Sequence, residues 1–154
     1  MSVIIRKAVL HDTSVLAELS VQARVFHNGL SGDYFADPDP QAEELFFKQA
    51  VAAEDKIILA AEKNGRIAGF LQASLKRLPY LRRSSVCLVE TVCVDQACRR
   101  KGIGKALMTD LRRRCDQNGV HEIRLGVFTA NTAGLAFYQS LGFTVREQKM
   151  QLFL

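Results

Sequence analysis

Residues 92–104 read VCVDQACRRKGIG, a β-rich run that passes straight into a basic, glycine-punctuated turn. Upstream, residues 86–94 (VCLVETVCV) are dense in β-branched and apolar side chains, as a buried strand is. Downstream, Ile103, Ala106, Leu107 and Leu111 recur at helical spacing, which predicts a helix over 102–117 with Gly119 beyond its end. A strand joined to a helix in this way makes an anion cradle, because the first helical amides lack intrahelical partners and carry the positive end of the macrodipole. Gly102 and Gly104 matter here, since a Cβ holds backbone away from a ligand.

Spacing excludes two phosphate loops. A Walker loop requires glycine where Arg99 stands and Ser or Thr where Ala106 stands. A dinucleotide fingerprint requires a third small residue where Leu107 stands, for close contact between helix and strand. The pattern left is R-x-x-G-x-G, carried by Arg99, Gly102 and Gly104. A second segment, residues 131–143 (NTAGLAFYQSLGF), predicts a helix capped by Asn131 and ended by Gly142. Asn131 and Tyr138 stand seven residues apart, close to two turns, so they share a helix face. On spacing alone, a Tyr on an apolar helix is a core aromatic.

In this order the two segments resemble the acyl-CoA-binding turn and the later Asn-to-Leu-Gly-Phe helix of the GNAT superfamily of N-acyltransferases. The rest of the chain agrees with that resemblance in order. Strands are predicted at 2–9, 56–62, 66–75, 85–94, 122–128 and 143–153, with Asn64-Gly65 as a hairpin turn between the second and third. Helices are predicted from an Asp12 cap through Phe26, at 41–53, at 102–117 and at 131–141, with breaker-rich residues 28–40 as a loop. No repeat or linker interrupts residues 1–154, so one domain is expected. The resemblance implies an α/β fold, a mixed and mostly antiparallel sheet flanked by about four helices, in the order β-α-α-β-β-β-α-β-α-β.

Composition narrows the classes. With 154 residues, 48% of them apolar, the chain can bury a core without staples. Cys87, Cys93, Cys98 and Cys115 form no C-x-x-C pair and have no closely spaced His partners, so no metal site is expected and reduced thiols in a cytoplasmic protein are. The first residues turn charged too soon for a signal peptide, and no apolar run approaches the roughly 20 residues of a membrane span. The net charge of +5 gathers at Arg82-Arg83, Arg99-Arg100-Lys101 and Arg112-Arg113-Arg114. The second cluster sits at the phosphate turn and the third at a helix end where cations complement the dipole, so nucleic acid is not the expected partner.

The resemblance implies an enzyme that transfers acetyl from acetyl-CoA to a primary amine, small molecule or protein, by direct attack in a ternary complex, without a metal. It implies that the backbone of Val92, Cys93 and Val94 pairs with the pantetheine arm. Arg99 opens the pyrophosphate turn formed by Arg100, Lys101, Gly102, Ile103, Gly104 and Lys105, whose backbone does the binding, so the side chains of Arg100, Lys101 and Ile103 are expected to be replaceable. Asn131 would contact the CoA arm. A non-catalytic acyl-CoA sensor of the same fold is the alternative, and it would need neither Glu90 nor Tyr138.

An alkylamine with a pKa near about 10.4 is protonated at neutral pH, and freeing its lone pair costs about 4 to 5 kcal/mol. Glu90 is the carboxylate in an otherwise apolar strand, and strict alternation puts it on the same face as Val92. It matches a Glu that many relatives use, as base or as ligand for the amine; pairing with a structural Arg is the competing role. The family places the Val92 N–H as oxyanion donor and Tyr138 as the acid that protonates the leaving thiolate. Two departures stand out. Gly126 occupies a position where some relatives carry a catalytic Glu, and only eleven residues follow Phe143, too few for a long final hairpin. One bent strand or a tight hairpin is expected there, leaving the acceptor site open or completed by a second subunit in a homodimer. The resemblance implies that the first two helices and their connection shape the acceptor pocket, a region that holds Asp33, Tyr34, Phe35, Asp37, Asp39, Glu43 and Glu44; its acidity is a candidate guide for a cationic amine, against a solvated loop and helix start.

Overall fold

Turn chemistry and alternation build the sheet, which the computed structural model describes within residues 2–154. Strand β1 (Ile4–Lys7) is followed by helices α1 (Thr13–Ser31) and α2 (Pro40–Ala50), then strands β2 (Lys56–Lys63), β3 (Arg66–Arg77) and β4 (Ser85–Val94). Helix α3 (Ile103–Gln117), strand β5 (Glu122–Leu125) and helix α4 (Thr132–Ser140) complete the order. Asn64 and Gly65 both take positive φ, 54° and 71°, which matches the twist of the β2–β3 hairpin. The sheet runs β1-β2-β3-β4-β5, antiparallel except for β4 against β5. That parallel pair needs a crossover, and α3 supplies it.

Alternate side chains of β2 and β3 feed two cores. Leu59, Leu71, Ala73, Cys87 and Val89 pack under Ile103, Leu107, Met108 and Leu111 of α3, with Phe137, Tyr138 and Leu141 of α4 against the same cluster. On the other face Ile58, Ala60, Phe70 and Cys93 pack under Leu16, Leu19 and Ala23 of α1 and Phe47 of α2. The two layers leave the sheet covered on both faces.

Three sequence expectations change. Strand β1 is shorter than 2–9. Asp12 precedes α1 as expected, yet its side chain does not cap the helix. It accepts from the Val9 N–H at 2.8 Å and from both terminal nitrogens of Arg6 at 2.7 and 2.9 Å, tying the helix start to β1. The strand expected at 143–153 is not formed, either as a bent strand or as a hairpin. β5 presents only four residues of edge, and Glu122 and Arg124 on it are bonded to each other. So short a ladder cannot offset the ordering of eleven residues. Met150, Leu152 and Phe153 are accordingly exposed.

Candidate active site

Val86–Val89 of β4 pair with Glu122–Leu125 of β5, after which the two strands part. Beyond Val89, β4 keeps its partner β3 on one side and, among the described residues, has no strand on the other. The backbone groups that face this gap follow from alternation. Asp95 N–H donates to Ala68 O of β3 at 2.9 Å, whereas Val94 O accepts from Arg99 Nε at 3.2 Å on the opposite side. Cys93 and Asp95 therefore turn their peptides toward β3, and Val92 and Val94 turn theirs into the gap. The Cys93 side chain is buried, with Sγ donating to Leu19 O at 3.2 Å and burial pushing its pKa up to about 11. Gly69, paired with Val94, escaped sequence reasoning: a Cβ there would stand 2.7 Å from Cys93 O, so only glycine lets β3 approach.

The turn after β4 is shaped by its own backbone. Asp95 accepts from Ala97 N at 2.8 Å, and Arg100 and Gly102 both take the left-handed conformation, φ 62° and 79°. Ala106 N is the first amide of α3 bonded into the helix, to Gly102 O, which leaves those of Ile103, Gly104 and Lys105 open. One expectation is corrected here. Ile103 is 1% exposed and belongs to the core, so its side chain is not replaceable. Gly104 also lies against α4, where a Cβ would meet Phe137 Cζ at 3.2 Å and the ring would have to give by a few tenths of an ångström. Lys101 Nζ donates to Ala97 O, and the Arg99 guanidinium lies 5.4 Å from the centroid of the Phe26 ring.

Glu90 is the extra residue of a β-bulge: Gln72 faces Thr91 and Ala73 faces Val89. The bulge breaks the alternation, so Glu90 and Val92 do not share a face as expected. Glu90 lies with Gln72 and Ser74 on the side of α1 and α2, and Val92 packs against the α3 core. Its oxygens accept from Ser74 Oγ at 2.7 Å, from Gln72 Nε2 at 2.6 Å and from Lys56 Nζ at 3.3 and 3.4 Å. Burial acts to raise its pKa, but the Ser74 and Gln72 hydrogen bonds and the Lys56 charge outweigh it and hold the carboxyl below its usual range. Gln72 and Ser74 were legible as two polar residues in alternation in an apolar strand; Lys56 at the strand start carried no signal.

Asn131 caps α4 as expected, accepting from Gly134 N at 2.9 Å. Gly134 is required there, since a Cβ would fall 2.4 Å from Asn131 Nδ2. Tyr138 is partly buried between Phe137 and Phe143, at 5.0 and 5.9 Å between ring centroids. Burial raises the phenol pKa, so the hydroxyl is protonated at neutral pH. It makes no hydrogen bond to a described residue and is not sealed from solvent. Gly104 lies against the Phe137 ring, which packs edge to face on the Tyr138 ring, so the start of α3 and this part of α4 are in contact.

The acidic segment is largely engaged elsewhere. Glu43 pairs with Arg24 and accepts from Ser20, Glu44 pairs with Lys48, and Asp39 caps α2. What gathers beside the gap instead is a group of rings from His27, Tyr34, Phe35 and Phe128. Among the described residues no cluster of three or more His, Cys, Asp and Glu is placed to hold a metal ion, and no helix is long and apolar enough to cross a membrane.

Comparison with known proteins follows this geometry. The sequence pattern of the acetyltransferase (GNAT) family matches residues 24–143. The chain is 28% identical over 147 residues to the L-amino acid N-acetyltransferase AaaT of Escherichia coli, covering 93% of this chain and 83% of that one. A structure of a variant of the BH1408 protein from Bacillus halodurans superposes with a TM-score of 0.89 at 28% identity, covering 98% of this chain and 99% of the other. The fold is also that of AAC(6')-Iy in complex with the bisubstrate analogue CoA-S-monomethyl-acetylneamine, at a TM-score of 0.78 and 22% identity over 100% of this chain and 99% of that one.

Proposed function

The chain belongs to the GNAT family of acetyltransferases and is an acyltransferase, and from that premise we propose that it moves acetyl from acetyl-CoA to a primary amine by direct attack in a ternary complex. The observation that carries this is the gap in which the Val92 and Val94 peptides have no partner strand, Val94 O being held only by Arg99 Nε, and continue into a turn with three open helical amides. That surface fits a ligand with an amide-bearing arm and a pyrophosphate. The arm would pair with Val92, Cys93 and Val94 as a strand does, through the peptides that face outward. The pyrophosphate would lie on the amides of Gly102, Ile103, Gly104 and Lys105, with Arg99, Arg100 and Lys101 adding positive charge. Asn131, already a cap, would add its free amide hydrogens to the arm. Acetyl-CoA supplies an acetyl group activated as a thioester.

The residues divide the remaining work. The Val92 N–H donates to the carbonyl oxygen as it gains charge. Tyr138 holds its proton at neutral pH because burial raises its pKa, and it gives that proton to the departing sulfur. Glu90 acts as an anionic ligand for the acceptor ammonium; a carboxyl held below its usual range is a weak base, so water removes the amine proton. A sensor would not need a phenol that lacks a hydrogen-bond partner among the described residues, which favours turnover over the alternative. Thiol release from acetyl-CoA across a panel of amines, with mass spectrometry of the products, tests the reaction. Absence of acetyl-CoA binding by calorimetry to the folded protein overturns it.

A further inference from the structure

Four aromatic rings from three separate segments meet at the gap. Phe128, three residues beyond the end of β5, has its ring 5.7 Å from Tyr34, 5.8 Å from Phe35 and 6.3 Å from His27. Tyr34 and Phe35 stand edge to face at 5.1 Å, and Phe35 is 6.4 Å from His27. The group is continuous with the cofactor turn: Arg99, bonded to Val94 O, lies over Phe26, whose ring is 5.5 Å from that of His27. The rings thus run from the open end of β4 to the loop after β5.

We infer that His27, Tyr34, Phe35 and Phe128 form the side-chain subsite of the acceptor, and that the preferred acceptor carries an aromatic or other large apolar group beside its primary amine. This rests on the acetyl-transfer reading above. Three observations carry it. The rings are assembled yet not buried: Tyr34 is 50% exposed, and Phe35 and Phe128 are 37% exposed each, where a small core would close over them. They are held in place, because the Asn28 side chain binds Phe35 at both its N–H and its carbonyl, 2.8 and 2.9 Å, and His27 Nδ1–H donates to Ala23 O at 2.8 Å. Preorganised rings cost a ligand little to bind. Finally, Glu43 and Glu44 are tied up in ion pairs with Arg24 and Lys48, so the acids left to meet a cation are Asp33, Asp37 and the capping Asp39, whereas four rings present faces and edges to an apolar group.

The test uses 2-phenylethylamine and L-phenylalanine against ethylamine and spermidine, with acetyl-CoA, on the intact chain. Wild type is expected to favour the ring-bearing amines in kcat/KM by about tenfold or more. Phe128→Ala is expected to raise KM for them by about 10- to 100-fold while leaving ethylamine turnover and acetyl-CoA affinity unchanged. Tyr34→Ala, at the exposed loop, provides a second variant should Phe128→Ala not fold. Saturation-transfer NMR of 2-phenylethylamine binding, lost in either variant, reads the subsite without turnover. Binding of the ring without acetylation of any amine sinks acetyl transfer and keeps the subsite. Preference for spermidine, or equal loss for all amines together with weakened acetyl-CoA binding, overturns the subsite and keeps acetyl transfer.

Discussion

The turn after β4 and the ring wall meet at Arg99 and are built in opposite ways. The turn is one contiguous stretch whose binding groups are peptide N–H donors, shaped by two left-handed residues, Arg100 and Gly102. The wall draws side chains from α1, from the loop before α2 and from the loop after β5. A backbone site binds a chemical group with little regard to the side chains around it. A wall of side chains on loops can be retuned by single substitutions. Under the acetyl-transfer proposal, the first suits the cosubstrate and the second the acceptor.

The largest effect is expected at Tyr138 on α4. Tyr138→Phe keeps the ring and its contacts with Phe137 and Phe143 but removes the hydroxyl, and turnover should fall by roughly 10²- to 10⁴-fold with acetyl-CoA affinity retained. Steady-state rates beside the melting temperatures decide it, and full activity returns Tyr138 to packing. The turn comes next. Gly104→Ala and Gly104→Asp both press on Phe137, so only the difference between them reports on charge beside a pyrophosphate. Gly104→Asp should bind acetyl-CoA about 100-fold more weakly than Gly104→Ala, a gap of about 2.7 kcal/mol. Equal affinities by calorimetry would move the pyrophosphate elsewhere.

Glu90→Gln should raise the amine KM about tenfold and leave acetyl-CoA binding alone. Because its carboxyl is held below the usual range, Glu90 stays ionised from mildly acidic to basic pH, and the loss should be the same across that window. A loss concentrated at the acidic end of the pH-rate profile would restore the base role. The smallest effect on catalysis is expected at Asp12, which anchors α1 and hence the wall. Arg6 hydrogen bonds hold its pKa down, so its stabilisation is present above the unfolded carboxylate pKa, about 3.9, and fades as pH falls through the lower folded value. Asp12→Asn should cost about 1 to 2 kcal/mol near neutral pH, Arg6 being a third exposed, and should flatten the acid limb of the stability profile. Denaturant midpoints measured from pH 2 to 7 check both.

The turn, the hairpin at Asn64-Gly65, the β4 strand at 85–94 and the α4 cap at Asn131 were legible because each is specified by residues within a few positions of one another. Local φ preferences, capping and periodicity act over that range. Glu90 was found but placed on the wrong face, since the bulge belongs to the pairing of two strands and leaves no mark on one. The missing last strand follows from the four-residue edge of β5, a length the tail does not encode.

The sequence by itself determined the family, the order of elements from β1 to α4 and a strand-to-helix turn whose first amides are open. Tertiary structure decided what Glu90 faces, which acids remain free and which rings assemble at the gap. Those depend on side chains more than a hundred residues apart, such as His27 and Phe128, brought together only when the sheet and its two helical layers close.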